Sequence, residues 1–253
     1  MLSKATIKFI KSLQVKKYRK QEQCFLIEGA KSVHELLDSD FETAILLGTA
    51  EFLSGIKTPV TGEVIEVREN ELDGLGEFQT NRSALAVARL KPNVSVIPRP
   101  GEFALVLDDI RDPGNLGTII RTADWYGIQK IICSQETADF YNPKVISATM
   151  GSFTRVQIFY TELTAYLSDC NLPVYGAFLS GRDVHAVNFS TGGFIVIGSE
   201  AHGISATVQP LVTEKITIPR YGRAESLNAA IATAIICDNI RRSAGTKSPL
   251  PGI

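Results

Sequence analysis

The stretch FALVLDDIRDPGNLGTIIRTADWYG, residues 103–127, contains the pattern that decides the fold of this chain. It opens with a near-continuous apolar run, passes through a turn with Pro and Gly, and continues as a helical pattern. Apolar runs of this length are typical of strands that are buried on both faces of a sheet. Similar runs recur further along the chain, at 128–133, 156–161, 173–179, 193–200 and 214–219. Because helical patterns separate most of these runs, the sequence predicts an α/β domain with a mainly parallel sheet flanked by helices.

The N-terminal part of the chain has its own set of predicted elements. Strands are predicted at 24–29, 41–48, 64–70 and 83–90, with a helix at 30–40. The segment KPNVSVIPRPG, residues 91–101, brings three prolines without periodicity, which is typical of a linker. We therefore predict a smaller N-terminal α/β domain with its linker, residues 1–98, and a C-terminal domain, residues 99–253.

The first 20 residues are strongly basic. Ile7, Ile10 and Leu13 recur at helical spacing and predict one helix with an apolar stripe. This segment has no Asp or Glu, and its basic residues are Lys4, Lys8, Lys11, Lys16, Lys17, Arg19 and Lys20. The basic surface is either an ordinary solvated helix face or a contact for nucleic acid.

Composition and cysteine usage narrow the class of protein. The formal net charge of −1 argues against an overall cationic nucleic-acid binder but allows a local basic patch. The four cysteines are scattered without a CxxC pair, which indicates neither a zinc site nor a disulfide framework and favours a reducing cytoplasm. The first 20 residues contain no apolar core of signal-peptide length, and no apolar run is long enough to cross a bilayer.

Familiar nucleotide and hydrolase motifs do not occur. No GxGxxG follows a predicted strand, and the sequence has no GxxxxGK[ST] and no GxSxG. The histidines, His34, His185 and His202, lack metal-ligand spacing. A dinucleotide site, a P-loop, a metal centre and a serine hydrolase are therefore not expected.

Polar residues instead follow three of the predicted strands. Asn115 and Arg121 come after the first of these strands, Glu200 after the second, and Ser226 and Asn228 after the third. Parallel sheets place their ligand chemistry at the carboxyl ends of the strands, so a site is expected there. Ser226 stands near the start of an alanine-rich helix, and it either caps that helix, contacts the substrate, or does both.

These strand ends resemble a known family. NLGTIIRTADWYG (115–127), IGSEAHGIS (197–205) and IPRYGRAESLNAAIATAI (218–235) resemble, in the right order, the three motifs of the SpoU (TrmH-type) RNA 2′-O-ribose methyltransferases of the SPOUT superfamily. This resemblance covers about residues 100–243. Through KFIKSL, FLIEG and NRSALAVA, residues 1–90 resemble the L30e-like RNA-binding domain that often precedes it. Two departures stand in the third motif: Ala229-Ala230 where Val-Ser is common, and Arg220 where an apolar residue is common.

The resemblance implies an enzyme that transfers a methyl group from S-adenosyl-L-methionine (AdoMet) to a ribose 2′-hydroxyl of RNA, without a metal. It implies a deep trefoil knot in the C-terminal domain, a homodimer, and RNA as partner. The L30e-like extension favours 23S (large-subunit) rRNA as the substrate. The alternatives are tRNA as substrate, or a non-catalytic RNA-binding or ribosome-assembly protein.

The resemblance also assigns roles to single residues. Arg121 matches the family's catalytic arginine, and it is either a deprotonated general base or a cation that clamps a phosphate and stabilises the developing alkoxide. Asn115 and Asn228 would orient Arg121 or the ribose, and Ser226 belongs to the same set. Glu200 would pair with Arg121 or accept the proton. The positions implied to bind the cofactor are Leu179, Gly198, Ile218 and Leu227.

Overall fold

The computed structural model describes residues 2–77, 81–189 and 192–243. Its internal contacts divide the chain into two compact units. The first unit is Met1–Pro92 together with Asp139–Arg155, and the second unit is Asn93–Ala138 together with Val156–Ile253. The predicted division after residue 98 stays a prediction, and the end of the predicted C-terminal domain, residues 244–253, lies outside the described residues. Within the described ranges, no helix is both long and apolar enough to cross a membrane.

Helices and strands alternate along the chain. The α-helices are α1 (Lys4–Ser12), α2 (Lys16–Glu22), α3 (Ala30–Leu37), α4 (Ala50–Ser54), α5 (Glu69–Leu72), α6 (Pro113–Trp125), α7 (Pro143–Thr149), α8 (Leu163–Ser168) and α9 (Ala229–Ser243). The strands are β1 (Cys24–Glu28), β2 (Thr43–Gly48), β3 (Glu63–Glu66), β4 (Ala84–Arg89), β5 (Phe103–Asp108), β6 (Lys130–Cys133), β7 (Gln157–Tyr160), β8 (Val174–Asp183), β9 (Gly193–Gly198) and β10 (Glu214–Thr217). Each predicted strand segment overlaps one of these strands. The segment predicted as a strand at 64–70 is shorter than expected, because α5 begins inside it.

The first unit is built on a four-stranded mixed sheet in the order β1-β4-β2-β3. Strand β4 runs antiparallel to both of its neighbours, and β2 and β3 are parallel. Helix α7 packs against β1, although more than 100 residues separate them in the sequence. Phe153, which follows α7, is fully buried against Phe25 and Phe41. The segment Asp139–Arg155 therefore completes the core of the first unit.

The prediction of a single basic helix at the N-terminus is wrong. Helix α1 ends at Ser12 and α2 begins at Lys16. Arg19 explains the break, because its guanidinium donates to the carbonyl oxygens of Leu13 at 2.9 Å and Gln14 at 2.8 Å. It also pairs with Asp139 at 2.6 Å, and its side chain is only 2% exposed. Arg19 is therefore a buried structural cation, whereas the six lysines around it are exposed.

The second unit is built on a six-stranded sheet in the order β10-β8-β9-β5-β6-β7. All of its neighbouring strands are parallel. The central strands β5 and β9 are almost entirely buried, as their continuous apolar runs predicted. Helices α6 and α9 pack against each other. The predicted α/β fold with a parallel sheet flanked by helices is confirmed.

Strand β8 carries a large irregularity near its carboxyl end. Its pairing with β10 jumps from Gly176 opposite Lys215 to Arg182 opposite Ile216, so residues 177–181 project out of the ladder. A Cβ on Gly181 would lie 2.5 Å from the carbonyl oxygen of Lys215, so only glycine fits this close approach of backbones. The projection leaves Leu179 81% exposed. The trefoil knot implied by the resemblance stays a prediction.

Candidate active site at the carboxyl ends of the parallel strands

A cavity of about 840 Å³ opens in the second unit at the carboxyl ends of its strands. Its walls contain all four positions expected to bind the cofactor: Leu179, Gly198, Ile218 and Leu227. Leu179 comes from the projection of β8, Gly198 ends β9, Ile218 follows β10, and Leu227 precedes α9. Residues that are up to 48 positions apart in the sequence thus share one cavity, because parallel strands end at the same edge of a sheet.

Gly198 is required by the backbone that folds over it. A Cβ at this position would lie 2.0 Å from the carbonyl carbon of Gly203 and 2.2 Å from the nitrogen of Ile204. The loop that makes this approach is closed by two backbone hydrogen bonds between Ser199 and Gly203, at 3.1 and 2.9 Å. Any side chain at Gly198 would open the loop, and this loop carries Glu200.

Three of the predicted catalytic residues form a connected chain of hydrogen bonds. The amide nitrogen of Asn228 donates to the side-chain oxygen of Asn115 at 2.9 Å. The amide nitrogen of Asn115 in turn donates to a carboxylate oxygen of Glu200. Asn115 is held in place by the start of α6, where its backbone N–H donates to the capping side chain of Asp112 at 2.8 Å. We call Asn228, Asn115 and Glu200 the amide–carboxylate chain.

Asn228 has a second structural role that the sequence left open. Its side-chain oxygen accepts hydrogen bonds from the backbone N–H groups of Ala230 at 2.9 Å and Ile231 at 3.3 Å. Asn228 is therefore the N-cap of α9, and the expectation that Ser226 could cap this helix is wrong. The cap fixes which end of the amide faces the helix, so the nitrogen of Asn228 must face Asn115. Ser226 is exposed and lines the cavity.

Arg121 stands apart from the amide–carboxylate chain. It lies six residues after Asn115 on α6, which places the two side chains about 120° apart around the helix axis. Its side chain is exposed, and among the described residues it has no hydrogen bond or ion pair. Among the described residues, Glu200 and Arg121 form no ion pair, and Glu200 accepts a hydrogen bond from Asn115 instead.

Asp108 is a positioning residue that sequence reasoning missed. It ends β5, is only 5% exposed, and accepts a hydrogen bond from the backbone N–H of Ser205 at 2.7 Å. This contact ties the second motif to the central strand. The only signal in the sequence was a carboxylate at the end of a buried apolar run. Within the part of the chain that the structure describes, no group of three His, Cys, Asp or Glu residues could hold a metal ion.

Comparison with protein families identifies the class of this chain. A family model described as the SpoU rRNA Methylase family matches residues 102–238, which is more than half of the chain. A second model, described as an MRM3-like substrate binding domain, matches residues 4–86. The chain therefore belongs to the SpoU rRNA methylase family, and the predicted class of enzyme, a SpoU-type RNA methyltransferase, is confirmed.

Several known proteins are similar along almost the whole chain. The 23S rRNA (guanosine(2553)-2′-O)-methyltransferase RlmP of Bacillus subtilis is 29% identical over 241 residues, 93% of this chain and 95% of that protein. A solved TrmH-family protein from Porphyromonas gingivalis is 40% identical with a TM-score of 0.85, covering 96% of this chain and 99% of that one. The AdoMet-bound rRNA methyltransferase from Sinorhizobium meliloti is 30% identical with a TM-score of 0.86, and 96% of each chain is covered.

Proposed function

We propose that this chain transfers a methyl group from AdoMet to a ribose 2′-hydroxyl of 23S rRNA. One observation carries the proposal: Glu200 belongs both to the cavity and to the amide–carboxylate chain. It lines the cavity wall and is the last residue of the chain of hydrogen bonds. The Bacillus subtilis relative acts on 23S rRNA by its name, and the Sinorhizobium meliloti structure contains AdoMet. Both similarities extend over more than nine-tenths of this chain.

The cavity fits a cofactor of this kind. Its volume of about 840 Å³ lies within the range of roughly 300–1,000 Å³ that is usual for small-molecule sites. Leu179 and Leu227, which are 81% and 47% exposed, offer apolar surface for an adenine ring or an aliphatic chain. The backbone groups at Gly198 and Ile218 supply donors and acceptors beside them. AdoMet supplies a methyl group that its positively charged sulfur already activates.

Glu200 is the group in the site best placed to take the proton of the 2′-hydroxyl. An alcohol is a poor nucleophile until this proton leaves. Asn115 donates to Oε1 of Glu200, which leaves Oε2 as the acceptor for the proton. Asn228 uses one of its two amide hydrogens toward Asn115, and the other can hold the ribose oxygen. The amide–carboxylate chain would thus orient the ribose and receive its proton.

Arg121 would act as a cation that holds the RNA backbone. A guanidinium stays protonated in proteins and matches a phosphate with two parallel hydrogen bonds. Arg121 is exposed and has no carboxylate partner among the described residues, so its fork is available to a phosphate beside the target ribose. Held there, it would also stabilise negative charge that develops on the attacking oxygen.

A homodimer formed through the second unit is the proposed assembly. Trp125 and Ile231 are 68% and 52% exposed on α6 and α9, and large exposed apolar side chains mark contact surfaces. Trp125 lies one helical turn after Arg121, on the same face of α6. A second copy that covers Trp125 would therefore come close to Arg121. The amide–carboxylate chain of the same copy does not contact Arg121.

The first unit would bind RNA through its exposed lysines. The residues concerned are Lys4, Lys8, Lys11, Lys16, Lys17 and Lys20 on α1 and α2. Lysines that contact phosphates release counterions, and this dominates the affinity of proteins for nucleic acids. The match of residues 4–86 to a substrate-binding domain supports the same role for the predicted domain at 1–98.

The cytoplasm is the proposed location, as expected from cysteine usage. The four cysteines are all free thiols in the structure. Burial raises the pKa of Cys237 to about 12, so this thiol stays protonated and unreactive.

The two alternatives receive less support. Solved structures of tRNA-modifying relatives cover only 56% and 57% of this chain, with TM-scores of 0.52 and 0.50. A non-catalytic RNA-binding protein would not need Asn115, Glu200 and Asn228 assembled beside a cavity. Calorimetry with AdoMet, followed by a methyl-transfer assay on unmodified 23S rRNA, separates the three cases. Binding without transfer to either RNA would favour the non-catalytic protein, and transfer to tRNA alone would replace the proposed substrate.

A further inference from the structure

The loop between β10 and α9 exposes a tyrosine almost completely. Tyr221 is 96% exposed, the highest value among the large apolar side chains that the structure describes. Arg220 and Arg223 flank it and are exposed as well. A tyrosine ring offers a broad apolar face with a polar hydroxyl at its edge, which suits it to contact with a partner.

This loop forms part of the rim of the candidate active site. Arg220, Tyr221 and Gly222 line the cavity together with Ser226 and Leu227, which follow in the same loop. Arg220 braces the loop from within, because its guanidinium donates to the carbonyl oxygen of Ala224 at 3.2 Å. Apart from Gly222 and its two chain neighbours, no atom lies within 4 Å of where a Cβ of Gly222 would be, so the loop is open to an incoming ligand.

The chemistry of this rim matches single-stranded RNA. Unpaired bases stack on exposed aromatic rings, and arginines beside the ring neutralise the adjacent phosphates. Arg220 also occupies a position where the third motif commonly has an apolar residue, so this cationic rim is a departure of the present chain from that motif.

We propose that Tyr221 is a stacking platform for an unpaired base next to the methylated nucleotide, with Arg220 and Arg223 holding the flanking phosphates. The inference rests on the proposed function and specifies how the same site selects RNA. Because Tyr221 lies at the rim of the cofactor cavity, its removal should lower the affinity for RNA far more than the affinity for AdoMet. Base stacking on Tyr221 also favours a target in a loop or bulge of the RNA, because a base inside a regular duplex cannot reach the ring.

The simplest test of the proposal is to measure the affinity for RNA. The probe is an unmodified 23S rRNA transcript, and binding is measured with S-adenosylhomocysteine present. We expect Tyr221→Ala to weaken binding about 5- to 150-fold, the range found when one base–aromatic stack is removed, and to raise KM for RNA with little change in kcat. Tyr221→Phe keeps both faces of the ring and should restore most of the affinity. Ile97→Ala removes another exposed apolar side chain, 64% exposed, and serves as the control for a non-specific effect.

Salt dependence separates stacking from charge. Each phosphate contact on a single strand contributes about 0.7 to the slope of log affinity against log salt. Arg220→Ala and Arg223→Ala should each reduce this slope by about that amount, while Tyr221→Ala should lower the affinity and leave the slope unchanged.

Three outcomes would overturn the inference while the wild-type enzyme remains an active methyltransferase. The first is an RNA affinity of Tyr221→Ala equal to that of the wild type. The second is a loss of affinity for AdoMet as large as the loss of affinity for RNA. The third is dissociation of the oligomer, measured by light scattering, which would place the ring at a contact between copies. If the wild-type protein neither binds AdoMet nor methylates RNA, the proposed function itself fails, which is a different result.

Discussion

Two arginines of this chain have opposite environments. Arg19 lies at the start of the first unit, and Arg121 lies on helix α6 of the second unit. Arg19 is 2% exposed and is held by two carbonyl oxygens and Asp139. Arg121 is exposed and has no such partners among the described residues. A buried cation that is paired with a carboxylate and with backbone carbonyls holds a fold together, whereas an exposed cation without a partner is available to an anionic substrate. The difference predicts that one arginine controls stability and the other controls catalysis.

Removing the buried arginine should have the largest effect. Arg19→Ala leaves Asp139, which is 19% exposed, without its cation. Breaking a buried ion pair from one side costs about 3–5 kcal/mol, and we expect this loss in the free energy of unfolding measured with urea. Lys17→Ala, an exposed neighbour on the same helix, should change stability by no more than about 0.5 kcal/mol. Equal stability of the two variants would remove the structural role of Arg19.

Removing the exposed arginine should leave stability intact and slow the reaction strongly. Arg121→Ala is expected to lower kcat by about 10²–10³-fold, the usual result of removing one group that stabilises developing charge. Its affinity for AdoMet by calorimetry should stay near the wild-type value. Arg121→Lys keeps the charge but loses the planar fork, so it should recover only part of the activity. Wild-type turnover of Arg121→Ala on its RNA would show that the assignment is wrong.

Asn228 should affect both stability and activity, because it caps helix α9 and also belongs to the amide–carboxylate chain. Loss of an N-cap costs about 0.5–2 kcal/mol, so Asn228→Ala should lower stability by this amount and lower activity too. Asn228→Asp keeps a good cap but replaces the donor toward Asn115 by an acceptor. Its stability should be close to that of the wild type while its kcat stays low. If Asn228→Asp is fully active, the hydrogen bond to Asn115 has no part in the reaction.

The exposed lysines around Arg19 should produce the smallest effects. Lys16→Gln and Lys17→Gln should each reduce the salt slope of RNA binding by roughly 0.7–0.9 and leave folding unchanged. Substitution is the better test of this surface than deletion of residues 1–98. Deletion would expose α7 and Phe153, which pack on β1 and Phe25 within the first unit. An unchanged salt slope in both variants would mean that this face does not contact RNA.

Local patterns in the sequence predicted the strands and the parallel sheet, because continuous apolar runs are local features, whereas the residues of the cavity walls followed only from the family resemblance. Long-range partners could not be predicted in this way. The break after Ser12 depends on Arg19 turning back to Leu13 and Gln14 and pairing with Asp139, which is 120 residues further on. Ser226 and Asn228 are both good caps, and only the start of α9 at Ala229 decides between them. The exposure of Tyr221 is likewise invisible in the sequence, where the same residue type is buried at Tyr175.

The most direct test of the central claim is to locate the methyl group that the enzyme transfers. Unmodified 23S rRNA is incubated with labelled AdoMet and the wild-type protein, and the product is cleaved with alkali. A 2′-O-methyl group blocks alkaline cleavage of the next phosphodiester bond, because that cleavage needs the free 2′-hydroxyl. We predict label in an alkali-resistant dinucleotide from a single unpaired position, appearing about 10²–10³-fold more slowly with Arg121→Ala. Label that remains on a single alkali-released nucleotide would place the methyl group on a base and contradict the account.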